Sequence, residues 1–117
     1  MIEFICYPRC TTCQKAQKWL DDNGIEYILR DIKSNNPSAE ELSHWCNIST
    51  QPLKKFFNTS GLLYKSMELK NKLPSMSEDE MISLLASDGM LVKRPLLIHE
   101  NGVLIGFKEQ EWQNKLC

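Results

Sequence analysis

Histidine occurs only as His44 and His99, and arginine only as Arg9, Arg30 and Arg94. Neither histidine has triad partners or an H-x-x-x-H spacing, so nothing supports a histidine-based catalytic triad or metal centre, and both read as structural or solvated. Positive charge is not in excess. With 14 basic and 15 acidic residues the formal net charge is −1, which removes the whole-molecule field that marks a nucleic-acid binder. No apolar run approaches the ~18 residues that span a bilayer. The segment Met1 to Cys6 carries Glu3 where a signal peptide would carry basic residues. The expectation is a cytoplasmic protein with no membrane and no direct nucleic-acid partner.

Glycine and proline number five each, too few for a collagenous or low-complexity chain, while 42% hydrophobic and 25% charged residues fit an ordinary globular protein. A single core serves chains of up to roughly 250 residues, so 117 residues imply one domain that needs neither a disulfide staple nor a structural metal. The five cysteines are an odd number. In a reducing cytoplasm they are better read for reactivity than as a framework.

Residues 1–33 read strand, helix, strand. Ile2, Phe4 and Cys6 alternate with Glu3 and Ile5 before Pro8 ends the run. From Cys13, the apolar positions Ala16, Trp19 and Leu20 oppose Gln14, Lys15, Gln17, Lys18 and Asp21 with helical spacing. Asn23-Gly24 closes this helix, and Ile25 to Ile32 reads as a second strand. Residues 34 to about 90 are polar and carry recurring helix signals. Ser38-Ala39-Glu40-Glu41 and Ser77-Glu78-Asp79-Glu80 both match the S-x-x-E capping box. Between them, Pro52 to Phe57 and Leu62 to Leu73 are expected to be helical, with Asn58-Thr59-Ser60-Gly61 as a break and Pro74 as a stop. From Lys93, the runs Leu96-Leu97-Ile98 and Val103-Leu104-Ile105 flank a Glu100-Asn101-Gly102 hairpin signal, and a short helix covers Lys108 to Leu116. A βαβ unit makes the first two strands parallel and the hairpin makes the last two antiparallel. The fold class is therefore α/β, a thioredoxin-like mixed four-stranded sheet (βαβ…ββα). It forms a single domain over 1–117, with its sheet core in 1–33 and 93–117 and a helical insert at about 34–90.

Cys10-Thr11-Thr12-Cys13 lies between the first strand and the amphipathic helix. Zinc would need two more ligands, and Cys6, Cys46, His44 and His99 supply no matching pair, so no metal is expected. The first turn of a helix offers unpaired amides and the positive end of the dipole, which favour an anion. Helix starts of this kind lower a thiol pKa from about 8.5 to between ~3.5 and ~7.5. Cys10 is thus the expected nucleophile, with Arg9 pushing in the same direction. Cys13 shares the buried face of Ala16, Trp19 and Leu20 and is the expected resolving thiol, displacing whatever Cys10 captures. Arg94-Pro95 precedes a strand expected to lie beside the first, which would bring Pro95 against the Cys10 loop and Arg94 near a thiolate or a bound anion. Candidate catalytic residues are Cys10, Cys13 and Arg94. Candidate substrate contacts are Arg9, Thr11, Thr12 and Pro95.

On Tyr7-Pro8-Arg9-Cys10-Thr11-Thr12-Cys13 and Val92-Lys93-Arg94-Pro95-Leu96-Leu97-Ile98, the chain resembles the ArsC/Spx family over nearly its whole length. Lys54 to Gly61 and Leu84 to Leu91 look like the YusI-type, arsenate-reductase-related branch. The resemblance implies a thioredoxin-like fold, a catalytic cysteine at Cys10 and an arginine at Arg94. It offers two specialised activities. Arsenate reductases draw on glutathione and glutaredoxin and bind the oxyanion with several arginines, one of them at or next to Ser60 here. Spx-type regulators keep C-x-x-C as a disulfide switch and bind the RNA polymerase α subunit, and they too carry an arginine at the Ser60 position. Exchanging a bidentate guanidinium for a hydroxyl removes oxyanion affinity that Lys65 would only partly supply, and the sequence shows no compensating basic surface. A thiol-disulfide oxidoreductase acting on a small-molecule or protein disulfide needs only what is present. It would bind no resident cofactor and would take electrons from glutathione, glutaredoxin or thioredoxin.

Cys6 and Cys46 are expected in the core and Cys117 at the exposed terminus. The Phe107 to Cys117 tail reads as core cover.

Overall fold

The computed structural model describes residues 2–117. The element order is β1 (Glu3–Cys6), α1 (Thr11–Asp22), β2 (Ile28–Asp31), α2 (Ala39–Ile48), α3 (Leu62–Ser66), α4 (Leu69–Lys72), α5 (Glu78–Ser87), β3 (Leu96–His99), β4 (Gly102–Ile105) and α6 (Glu109–Leu116). Short 3₁₀ turns span Leu53–Phe56, Leu73–Ser75 and Gly89–Leu91. The strands form one mixed sheet in the order β2-β1-β3-β4, with β1 parallel to β2 and antiparallel to β3, and β4 antiparallel to β3.

Alternation along the strands divides the core in two. Phe4, Cys6, Leu97 and Leu104 pack with Cys13, Ala16, Trp19 and Leu20 of α1 and with Trp112 of α6. Ile5 and Leu96 point the other way, into Leu42, Trp45, Phe56, Phe57, Leu69 and Leu85 of the insert. Cys6 and Cys13 therefore share one apolar layer. Trp112, fully buried, donates its indole N–H to the Gly106 carbonyl at 3.1 Å and stacks edge-on against Phe107 at 4.9 Å.

Three expectations for local structure are corrected. The second strand runs only over Ile28–Asp31, because it is the sheet's edge and has β1 alone to pair with. Pro52 to Phe57 tightens into a 3₁₀ turn, because Phe57 bridges Val92 and the flanking backbone pairs across, Lys93 N–H to Phe56 carbonyl at 2.7 Å and Asn58 N–H to Leu91 carbonyl at 2.8 Å. Leu62 to Leu73 is broken at Glu68, whose φ of 53° is left-handed. That break turns Leu69 and Leu73 into the core while Leu62 stays 86% exposed. Both capping boxes form as expected: Ser38 Oγ accepts from Glu41 N–H and Ser77 Oγ from Glu80 N–H, each reciprocated by the glutamate.

The insert is held to the sheet at two places. At Gly89 a Cβ would lie 1.8 Å from the Ile32 carbonyl oxygen, so only glycine permits that approach. Arg30 on β2 binds Glu41 on α2 through both oxygens, at 2.6 and 2.8 Å, and lies 6.0 Å from the Trp45 ring centroid. The Arg30 hydrogen bonds, reinforced by the capping Ser38, hold the Glu41 carboxyl down to about 2 from an ordinary 4.5. A carboxyl lowered in the folded state stabilises fully above its unfolded pKa, and that contribution is lost as pH falls from about 4.5 toward 2. Glu41→Gln retains the capping-box geometry and removes the charge. Urea unfolding at pH 7 and at low pH should show the wild type losing more stability on acidification than Glu41→Gln. Equal losses would mean that the pair contributes nothing to folding.

Candidate functional site

The turn between β1 and α1 carries the C-x-x-C. Cys10 caps α1 with extended backbone (φ −83°, ψ 122°), its carbonyl accepting from Gln14 N–H at 3.0 Å and its N–H donating to the Tyr7 carbonyl at 3.0 Å. No acidic residue lies in the first turn of α1, so no carboxylate neutralises the positive end of this 12-residue helix. The half-buried Cys10 lines a cleft of about 270 Å³ together with Thr12, with Asn58 and Ser60 from the insert, and with Lys93, Arg94 and Lys108.

Arg94 sets the character of the cleft. Its guanidinium carbon is 5.2 Å from the centroid of the Tyr7 ring, a cation–π contact. Its Nη1 is buried and has no hydrogen-bond partner among the described residues. An unpaired charged donor out of water costs more than the ~1–3 kcal/mol of a neutral one. An acceptor in the cleft, most effectively an anion, would relieve that cost.

Cys13 sits one turn behind Cys10, 1% exposed, with its sulfur accepting the Tyr7 N–H at 3.3 Å. A hydrogen bond with the Cys6 thiol, reinforced by burial, pushes the Cys13 thiol well above the ordinary range. The same bond draws Cys6 below it. Of the pair, Cys13 is therefore the thiol that holds its proton more tightly. The two motif thiols thus differ in kind: one opens to the cleft, and the other is buried, protonated and bonded to a third sulfur.

A family model described as the ArsC family matches residues 6–115. The chain belongs to the ArsC family. It is 50% identical over 112 residues to YusI of Bacillus subtilis (strain 168), covering 96% of this chain and 95% of that protein. An ArsC family related protein from Bacteroides fragilis has the same architecture at a TM-score of 0.94 and 55% identity, covering 97% of this chain and 95% of its own. The global transcriptional regulator Spx 2 of Bacillus cereus is 26% identical over 102 residues, covering 87% of this chain and 76% of the regulator.

Among the sequence candidates, Cys10, Thr12 and Arg94 meet in the cleft and Cys13 lies just behind it. Arg9 and Thr11 are exposed and outside its lining. Pro95 is buried, its bond to Arg94 is cis, and its carbonyl accepts the Gly106 N–H at 2.8 Å. Gly106, at φ 74°, takes the left-handed turn that carries Phe107 and Lys108 along the cleft wall.

The expectation that no basic surface makes up for the missing arginine is corrected. Lys93 and Lys108, distant in sequence, flank the cleft, whereas Lys65 does not line it. The sequence marks Asn58 only as part of a loop break. It is 7% exposed, and its Oδ1 accepts from Ser60 Oγ at 3.2 Å. An asparagine bounded by apolar residues on one side and Thr-Ser-Gly on the other carries no signal of burial in its own sequence. Only the pairing with Leu91 reveals it. Cys46 is half-buried against the core, and Cys117 is exposed.

Iodoacetamide treatment of the native reduced protein should label Cys10 and Cys117 rapidly and leave Cys13 and Cys6 unlabelled until denaturant is added, as read by peptide mapping. Comparable native labelling of Cys13 and Cys10 would contradict the burial and protonation assigned to Cys13.

Proposed function

We propose that this chain is a thiol-disulfide oxidoreductase, with Cys10 as nucleophile and Cys13 as resolving thiol, acting on a disulfide that carries an anionic group near its sulfur. The observation that carries this reading is the opening of Cys10, at a helix start with no neutralising acid, onto the same cleft as the buried, unpaired Arg94 Nη1. The Cys10 thiolate attacks one substrate sulfur, a new S–S bond forms, and the other half leaves with the electron pair as a thiolate. Arg94 would hold the anionic group and orient the target sulfur. Cys13 then attacks Cys10 Sγ. The Cys13 proton must leave as that bond forms, and the departing substrate thiolate can take it up. The second substrate thiol departs and a Cys10–Cys13 disulfide remains. Two electrons from glutathione, glutaredoxin or a thioredoxin-type dithiol restore the pair.

Arsenate reduction is the second reading, and the cationic cleft favours it: Arg94, Lys93 and Lys108 all line the space beside Cys10. Against it, Ser60 supplies a hydroxyl where a bidentate guanidinium would grip an oxyanion more tightly. Likeness to a protein named a global transcriptional regulator supports a third reading, in which the same disulfide acts as a switch controlling binding to the RNA polymerase α subunit.

With Cys13→Ser the resolving step is removed, so mixed disulfides on Cys10 should accumulate and be recoverable from a cell lysate, while Cys10→Ser should capture none. Arg94→Gln should raise KM for glutathione disulfide roughly tenfold or more, the scale of one hydrogen bond to a charged group. Arsenate turnover with glutathione and glutaredoxin is expected to be far slower than disulfide reduction, and the reverse order would favour the second reading. Recovery of the polymerase α subunit without a covalent link to either cysteine would favour the third.

A further inference from the structure

Beside the cleft runs a larger groove of about 540 Å³, whose lining includes Lys54, Lys55, Lys93, Lys108 and Lys115 against a single acid, Glu111. Lys93, Ile105 and Lys108 line both spaces, so the groove leads to Cys10. Its charge departs sharply from that of the whole chain. Together with Arg94 the two spaces hold six of the 14 basic residues and one of the 15 acidic ones, leaving eight basic against fourteen acidic residues elsewhere. An ionic contact with this face is therefore attractive to an acidic partner, whereas the rest of the surface repels it.

The floor of the groove identifies the shape of what would lie there. Val103, Leu104 and Ile105 are consecutive residues of β4, and all three line it. Consecutive strand residues point to opposite faces, so a space touching all three runs along the strand's edge. β4 is the outermost strand, paired only with β3. An outer strand leaves main-chain N–H and C=O groups free to pair with an added extended segment. Phe57 is the only aromatic residue in the lining, which gives no succession of rings for stacked bases.

We propose that this groove docks an extended, acidic polypeptide segment along the edge of β4 and delivers a cysteine of that segment to Cys10. The inference rests on the thiol chemistry proposed above and names its substrate class, a protein disulfide with acidic flanks. Docking orients the exchange without changing its balance. The Cys10–peptide S–S bond forms as the peptide's old disulfide partner leaves as a thiolate.

The test uses three synthetic cysteine peptides with acidic, neutral or basic flanks, each activated as a mixed disulfide with thionitrobenzoate. The protein is reduced Cys117→Ser, and release of the coloured thiolate gives the rate, with the adduct on Cys10 confirmed by peptide mapping. At about 20 mM salt the acidic peptide should react at least ~10-fold faster than the neutral one, and the advantage should collapse toward one at about 0.5 M salt. Lys54→Glu/Lys55→Glu/Lys115→Glu, which reverses groove charges away from the cleft, should bring the acidic-to-neutral ratio to one or below. Equal rates for the two peptides at low salt, or an advantage that survives in the triple variant, would overturn the proposal. A fluorescein-labelled acidic peptide without cysteine separates docking from chemistry through its anisotropy. Salt-sensitive binding lost in the triple variant supports the groove even if no peptide reacts at Cys10, an outcome that would refute the thiol chemistry alone. Absence of binding refutes the groove.

Discussion

Two backbone hydrogen bonds, Lys93 N–H to the Phe56 carbonyl and Asn58 N–H to the Leu91 carbonyl, join the helical insert to the chain just before β3. Phe57 and Val92, both buried, form the bridge between them. This short pairing sets one wall of the cleft, because it places Asn58 and Ser60 beside Lys93 and Arg94, which line the cleft together with Cys10. The cost of a helix that cannot continue past Phe56 is met by the burial of Phe56 and Phe57, at about 1.5–3 kcal/mol for each large apolar side chain. Without that pairing the insert could still pack, but the cleft would have no defined far side.

Within this frame, the sulfur chemistry divides between two environments separated by one helical turn. Cys10 stands where α1 begins and water can reach it, facing a guanidinium with one unpaired nitrogen. Cys13 stands in the layer of Trp19, Leu20 and Trp112, bonded to Cys6 and held protonated. Burial alone therefore separates the two sulfurs, because only the outer one lines the cleft. β1 contributes to this arrangement through its pleat, because the alternation that sends Ile5 to the insert sends Cys6 to Cys13.

Much of the fold was legible in the sequence. The βαβ and hairpin segments carry periodicity, turn residues and a capped helix that all agree, and strands beside a crossover or a tight turn have little choice of partner. The insert was legible in its capping boxes and not in its middle. Nothing near Met67 marks Glu68 as left-handed, since that conformation is imposed by the burial of Leu69 and Leu73. Likewise Pro52 to Phe57 has helical composition and loses to a long-range pairing with Val92.

The position of Cys10 at the start of α1 could be read from the chain alone, because a C-x-x-C between a strand and an amphipathic helix is set by a few consecutive residues. The sequence also marked Arg94, because an arginine before a proline at the start of a strand is a local pattern. Their surroundings come from the packed fold: Lys93 and Lys108 converge on the cleft, Asn58 is buried in its wall, and Cys6 lies in the same layer as Cys13. Those relations join residues far apart in the chain or on separate elements, and the forces that bring them together, burial and backbone pairing, act through space and leave no spacing to read.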